Sequence, residues 1–398
     1  MLVTMHPADL LAIARDWSFW DAPPARSVQR EVALPAELRP DLALVVQGVR
    51  RCGKSTLLGQ LMDRYGLDRA KCLFINFEDP RLAPALDHTL LDTMVKAFEA
   101  EHGTGATYFL DEIQWVDGWQ RWLRRQLDRP KDRRFVVTGS NAHLLSGEVG
   151  STLTGRHHVV ELFPFHFQEF RAARPRATLA EFLECGGFPA VVKSPDRDMI
   201  LRGYFNDIVE RDIRERVAAR SAQPLRKVVQ MLLESAGSET STRRLAAALG
   251  LAPDTAGLYI DAAESAYLAL GATYFAYSAR RQLARNRKFY PVDTGLRRAV
   301  ATTTGEDRGK QLECATYLLL RRRFRTVHYW RGEGSGAGEV DFVVERRGKA
   351  VPVQVSWEAP TDRHRRAVDA FHAAHPHADE AVFVTRESFE RGVPEFAP

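Results

Sequence analysis

Residues 48–56, Gly48-Val-Arg-Arg-Cys-Gly53-Lys54-Ser55-Thr56, restrict this chain more than any other stretch. They match G-x-x-x-x-G-K-[ST] and lie between two kinds of periodicity. Leu42 to Val46 read as a buried parallel strand, and Leu57, Leu58, Leu61 and Met62 then recur at helical spacing. A turn between strand and helix in which Gly48 and Gly53 carry no side chain lets successive N–H groups point at one anion beside a helix N-terminus. Lys54 adds a positive charge for the β and γ phosphates, and the Ser55 hydroxyl suits a Mg²⁺ shell. The expected MgATP-binding set is Gly48, Arg50, Gly53, Lys54, Ser55 and Thr56, with Ser55 also a metal ligand.

Downstream, Cys72 to Asn76 predict a second buried strand, and Tyr108-Phe-Leu-Asp111-Glu112 a third that ends in two adjacent carboxylates. Successive side chains diverge on a strand, so Asp111 is expected in the metal shell while Glu112 polarises a water at the γ phosphate. Arg134 to Asn141 form another such strand with small polar residues at its end. Ser140 and Asn141 both qualify to hydrogen-bond the attacking water. Arg156 precedes the strand His158 to Phe163 and has two readings, a plain surface arginine or a group that reaches a neighbouring subunit's γ phosphate.

Before these motifs, residues 1–40 offer a short amphipathic helix (Leu10, Leu11, Ile13) and an aromatic cluster, Trp17, Phe19 and Trp20, expected to pack on the core. At 398 residues the chain has room for two to four domains. With 45% hydrophobic and 27% charged residues, it has the composition of an ordinary soluble protein. No stretch approaches a membrane span, and Met1 to Ala14 lack the basic start and cleavage site of a secretory signal, so a cytoplasmic location without membrane contact is expected. Cys52, Cys72, Cys185 and Cys314 form no C-x-x-C pair and are read as reduced packing residues.

In these motifs the chain resembles the AAA+ ATPases. More narrowly, it resembles a group of bacterial and archaeal predicted ATPases that join this module to a helical lid and a restriction-endonuclease-like C-terminal domain. The resemblance rests on Gly48 to Thr56, Phe109 to Glu112, Thr138 to Asn141, Gly155-Arg156, Phe163 to Phe170, Gly186 to Pro189 and Tyr204 to Asp212, and covers nearly the whole chain. It implies ATP binding, hydrolysis and assembly into a ring or a dimer, a homo-hexamer being the favoured state.

Residues 166–220 are helix-prone and fit a lid. Beyond them, Thr242 to Gly250 and Pro253 to Leu270 read as helix-turn-helix, followed by a hairpin of strands 272–278 and 288–292; together these make a winged helix. The loop joining the strands carries Arg280, Arg281, Arg285 and Arg287, with Lys288 adjacent and no acid. Concentrated positive charge on a hairpin tip is what contact with DNA phosphates needs. A protein-contact role is the alternative, since many winged helices serve one.

The last domain resembles the PD-(D/E)XK nucleases in the order of its elements, with Glu313 on a helix and Asp341 and Gln354 on paired strands. Where that pattern has a carboxylate and then a lysine, this chain has Gln354 and Ser356. Glu313, Asp341 and Glu339 suit at most weak metal binding, and Lys349 substitutes for the lysine only if its strand allows it. A non-catalytic DNA-binding or assembly role is therefore expected, with an ATP-coupled nuclease as the rival.

The expected fold class is α/β. It comprises an N-terminal segment (1–40), a P-loop AAA+ core on a parallel sheet (41–165), a helical lid (166–220), a winged helix (221–300) and a nuclease-like α/β domain (305–398). The expected function is an ATPase that moves or remodels DNA, with a nucleotide-dependent switch on a protein partner as the alternative.

Overall fold

The computed structural model describes residues 5–18, 27–129, 131–142, 144, 152–214, 217–219, 221–302, 307–334, 338–393 and 396. Phe19 and Trp20 lie outside the described residues. The chain divides into two units, Met1–Leu162 and Phe163–Pro398.

In the first unit five strands form one parallel sheet: β1 (Ala43–Gln47), β2 (Cys72–Asn76), β3 (Thr107–Asp111), β4 (Arg134–Gly139) and β5 (His157–Glu161), in the order β2-β3-β4-β1-β5. Parallel strands need crossovers, and helices α1 (Pro7–Trp17), α2 (Lys54–Arg64), α3 (His88–His102) and α4 (Trp119–Asp128) alternate with them. Alternate strand residues Val45, Ile75, Tyr108 and Phe135 share one hydrophobic cluster with Leu10 and Ile13 of α1, Phe98 of α3 and Trp122 of α4. Fully burying each such side chain stabilises by roughly 1.5–3 kcal/mol. Leu44, Val46, Phe74, Phe109 and Val136, one residue out of phase, are buried as well, which is why the strands read as continuous apolar runs. Trp17 departs from the expected core role: it is 39% exposed, and its indole N–H donates to Asp79 at 2.7 Å.

The second unit opens with α5 (Phe167–Ala173), α6 (Leu179–Cys185), α7 (Pro189–Val192) and α8 (Arg197–Asp207), the last continued by a π-helical segment, Ile208–Arg214. Next come α9 (Gln223–Glu234), β6 (Glu239–Thr240), α10 (Thr242–Leu249), α11 (Pro253–Ser265), β7 (Ala269–Tyr274), α12 (Ala279–Leu283), β8 (Arg287–Pro291) and α13 (Thr294–Val300). The long α14 (Arg308–Arg323) leads to β9 (His328–Arg331), β10 (Glu339–Arg346), β11 (Lys349–Val355), α15 (Asp362–Ala374), β12 (Val382–Val384) and α16 (Arg386–Glu390).

The strands of this unit form a single sheet, β12-β11-β10-β9-β7-β8-β6, which runs without a break past residue 300, through the parallel pairing of β7 with β9. The hairpin sits about three residues earlier in its first strand than expected, with Ala269 opposite Pro291 and Ala272 opposite Lys288, and a short helix occupies its loop. Tyr290 and Tyr317 stack at 4.3 Å beside Phe342 and hold α14 against the sheet.

Two of the stretches behind the resemblance are packing devices. A Cβ on Gly187 would lie 2.0 Å from the Phe165 carbonyl oxygen, and one on Gly186 would lie 2.1 Å from an Asp293 oxygen. Asp293 accepts from the amides of Gly187 (2.6 Å) and Leu296 (2.8 Å), so these glycines let two loops close on one buried carboxylate. Burial raises that carboxyl to about 6.

Candidate functional site

At the carboxyl ends of β1, β3 and β4 the first unit gathers its polar buried groups, the edge where open α/β sheets bind ligands. The Gly48 N–H donates to the Gly139 carbonyl, which pins the loop to the end of β4. A Cβ on Gly48 would lie 2.0 Å from the Leu162 carbonyl oxygen, so only glycine admits this approach. Gly53 has φ +102° and caps α2 without any side-chain hydrogen bond, which leaves the first amides of α2 to an anion.

Lys54 is 5% exposed. Its ammonium donates to the Gly48 carbonyl at 3.1 Å and lies 3.2 Å from Glu112. Burial would lower its pKa; Glu112 in the first place, then Cys52 and Asp111, raise it above the usual lysine value.

Glu112 has a left-handed backbone, φ +55°, which costs a non-glycine residue about 1–2 kcal/mol. Its surroundings hold it there. The Glu112 N–H donates to the Thr138 hydroxyl (3.0 Å), while its carboxylate accepts from the Gln114 amide (2.6 Å) and the Ser140 N–H (3.2 Å). Burial pushes this carboxyl up, but Lys54, Gln114 and Arg50 together hold it below the usual glutamate value.

Asp111, one residue earlier, accepts from Ser55 Oγ at 2.9 Å and from Thr138 Oγ1. Burial and the charge of Glu112 raise Asp111 to about 6. One buried cation thus faces two adjacent acids whose affinities for a proton are driven apart. Beside them the pair Ser55–Asp111 offers a hydroxyl and a carboxylate already 2.9 Å apart.

The residues present fit MgATP: uncapped helix amides and Lys54 for phosphates, and Ser55 with Asp111 for the ion, whose chemistry there is to neutralise phosphate charge. Among the other expected residues, Arg50 is held by Glu78 in a bidentate pair at 2.7 and 3.0 Å. Asn141 is half-buried beyond β4. Arg156 is 3.2 Å from Asp128 at the start of β5. Gln114 has no local signature in the sequence, and Thr138 stands out there only as the start of the stretch Thr138 to Asn141, without a role of its own.

In the second unit the basic arm is largely paired. Arg281 and Arg285 share Glu333 at 3.2 and 3.3 Å, Arg287 holds Glu264 at 2.5 Å, and Arg280 alone of the four has no acidic partner among the described residues. Lys288 corrects the expectation outright: it is 1% exposed and pairs with Glu339, because β8 turns its side chain into the sheet and not towards the loop tip.

The nuclease-like residues do come together. The Gln354 amide donates to Asp341 at 2.6 Å, and Glu313 accepts from Tyr290 at 2.9 Å and from Lys310 at 2.6 Å. Burial, and then the charge of Glu313, raise Asp341 to about 7. A divalent ion of the kind nuclease chemistry implies does not fit. Among the described residues no group of three or more His, Cys, Asp or Glu is arranged to hold a metal, and ammonium groups already stand on Glu313 and Glu339. Lys349 does not supply the missing lysine, since its side chain is 61% exposed and pairs with Asp379 at 3.2 Å.

Compared with known proteins, residues 41–171 match the AAA domain, residues 176–307 a domain of unknown function (DUF8612) and residues 308–393 another (DUF4143). An uncharacterized protein of Haemophilus influenzae is 30% identical over 342 residues, which cover 81% of this chain and 84% of that one. The chain belongs to the same family as that protein. An uncharacterized protein of Methanocaldococcus jannaschii, 28% identical over 88% of this chain and 82% of its own, is similar along a comparable span. Among solved structures, the Walker-type ATPase of Pyrococcus abyssi is similar at 14% identity and a TM-score of 0.43, covering 65% of this chain and 91% of that one. Residues 41–171 of this chain are therefore a P-loop domain of the AAA class. Among the described residues no helix is long and apolar enough to cross a membrane.

Proposed function

We propose that this protein hydrolyses ATP and couples the cycle to DNA, as a cytoplasmic motor or remodeller of the helicase or branch-migration type. The observation that carries the ATPase part is the contact of Lys54 with Glu112, beside Ser55 and Asp111, at one edge of a parallel sheet. In this mechanism Lys54 exchanges Glu112 for the β- and γ-phosphate oxygens. Glu112, still held through Oε2 by Gln114 and the Ser140 amide, turns its released Oε1 to the attacking water and takes its proton. Ser55 and Asp111 would hold Mg²⁺, which would neutralise phosphate charge there. Arg156 serves a neighbouring subunit's site in a homo-oligomer, by exchanging Asp128 for phosphate.

The DNA part rests on the helix pair α10 and α11 with the β7–β8 hairpin, read as a winged helix, and on the basic character of the second unit. Steady-state ATP turnover without DNA and with duplex, single-stranded and four-way DNA tests it: stimulation by one of these forms is expected, and none by any form would remove the DNA coupling.

A second reading, a nucleotide-dependent switch on a protein partner, is favoured by one observation. Tyr277, just before the basic arm, and Leu283, within it, are 74% and 86% exposed, an unusual display of large apolar side chains. On that reading DNA neither binds with salt sensitivity nor stimulates turnover.

A further inference from the structure

The second unit contains a cleft of about 900 Å³ that ATP chemistry does not use. Glu313, Asp341 and Gln354 line it, with Arg331, Arg363 and Arg366. It shares Lys310, Arg331 and Glu339 with an adjoining hollow of about 620 Å³, lined also by Ser241 and Arg244. The two form a continuous groove from the start of α10 to the start of α15.

The charges in this groove are arranged in two tiers. On the floor each of two carboxylates has its own ammonium, Lys310 on Glu313 at 2.6 Å and Lys288 on Glu339. Lys288 is fixed further, 5.0 Å over the Tyr329 ring. These ammoniums take up the negative charge that a divalent ion would otherwise need to balance. Around the lining, the exposed guanidiniums of Arg244, Arg363 and Arg366 form no ion pair with a carboxylate among the described residues. A guanidinium without an acidic partner keeps its planar fork for phosphate oxygens.

A further observation points to a ligand. Gln354 is 4% exposed and lines the cleft, and its Oε1 has no hydrogen-bond partner among the described residues while its Nε2 is spent on Asp341. A buried acceptor left unmet is destabilising, and a donor such as a base amino group or a sugar hydroxyl meets it.

We infer that this groove is a metal-independent binding site for a polynucleotide strand, with phosphates on Arg244, Arg363 and Arg366 over a floor neutralised by Lys288 and Lys310. The inference rests on the DNA reading above and moves the contact away from the basic arm, whose Arg281, Arg285 and Arg287 are engaged with acids.

Fluorescence anisotropy of the full chain with labelled single-stranded and duplex DNA oligonucleotides, with and without EDTA and in the absence of nucleotide, tests it. ATP turnover of the same preparations is measured alongside. The variant R244A/R363A/R366A should bind at least about tenfold more weakly, with a salt slope shallower by about 2–3. The arm variant R280A/R281A/R285A should stay within about threefold of the parent, and EDTA should change nothing. Loss of binding in the arm variant with retention in the groove variant overturns the groove assignment alone, and loss in EDTA overturns its metal independence. A parent chain that turns over ATP but binds neither oligonucleotide overturns the DNA reading and the groove together.

Discussion

Lys54 and Glu112 meet at 3.2 Å with their side chains only 4% and 9% exposed, so the cation expected to hold phosphate is held by the acid expected to activate water. Each neutralises the other in a place where an unpaired charge is costly. On the proposed function, ATP binding is an exchange of partners for Lys54, and hydrolysis follows once Glu112 is released.

Glu112→Gln separates these two steps. The amide keeps the shape of the side chain and gives up its basicity, so nucleotide affinity should be retained while turnover falls about 10²–10⁴-fold. Lys54→Ala should lose nucleotide binding itself. Binding of a fluorescent ATP analogue beside steady-state phosphate release checks both, and unchanged turnover in Glu112→Gln removes the assignment.

Thr138→Val removes the hydroxyl that donates to Asp111 and accepts from the Glu112 N–H. Leaving that buried amide unmet should cost about 1–3 kcal/mol of stability. With Asp111 no longer oriented, the Mg²⁺ concentration for half-maximal turnover should also rise several-fold. Chemical denaturation and a Mg²⁺ titration of turnover read the two effects separately.

Gly48→Ala introduces a methyl group 2.0 Å from the Leu162 carbonyl oxygen, a contact that forces the phosphate loop to move. The expected result is a KM for ATP raised at least tenfold, with a thermal midpoint lowered by a few degrees. An unchanged KM would show that the loop tolerates displacement from β5.

Asp341→Asn tests the second unit through pH. The folded protein holds the Asp341 proton up to about pH 7, far above the ordinary aspartate value. The favourable contribution of that proton is complete below the unfolded pKa near 4 and is lost as pH rises through 7. Asparagine stays neutral throughout. The variant should match the parent near pH 4 and gain on it progressively towards pH 8, by a few degrees in thermal midpoint; a constant difference across that range contradicts the assignment.

The candidate nucleotide site was legible as a cluster because its signals are local. A glycine-rich turn between a β-type apolar run and a helical one, and two acids at a strand end, are complete within a few residues. The contacts of Gln114 and Thr138 were not legible, since what these residues do depends on where β3 and β4 meet. Lys288 misled for the same reason. In sequence it adjoins a basic run, while its burial depends on Glu339, 51 residues away. The first hairpin strand was placed late because Ala269, Leu270 and Gly271 lack the β-branched residues that advertise a strand; pairing with Tyr290 and Phe289 imposes that conformation on them. The missing lysine of the nuclease pattern was correctly noticed, but two lysines reach the cleft from α14 and β8, where no linear pattern would look for them.

The sheet that passes from β8 through β7 into β9 has a practical corollary. Severing the chain between Val300 and Arg308 would strip β9 and β7 of each other and leave raw backbone edges on both pieces. Such edges recruit foreign strands, so neither piece is a safe expression fragment, and gene fusions or truncations that respect this protein have to carry residues 163–398 whole.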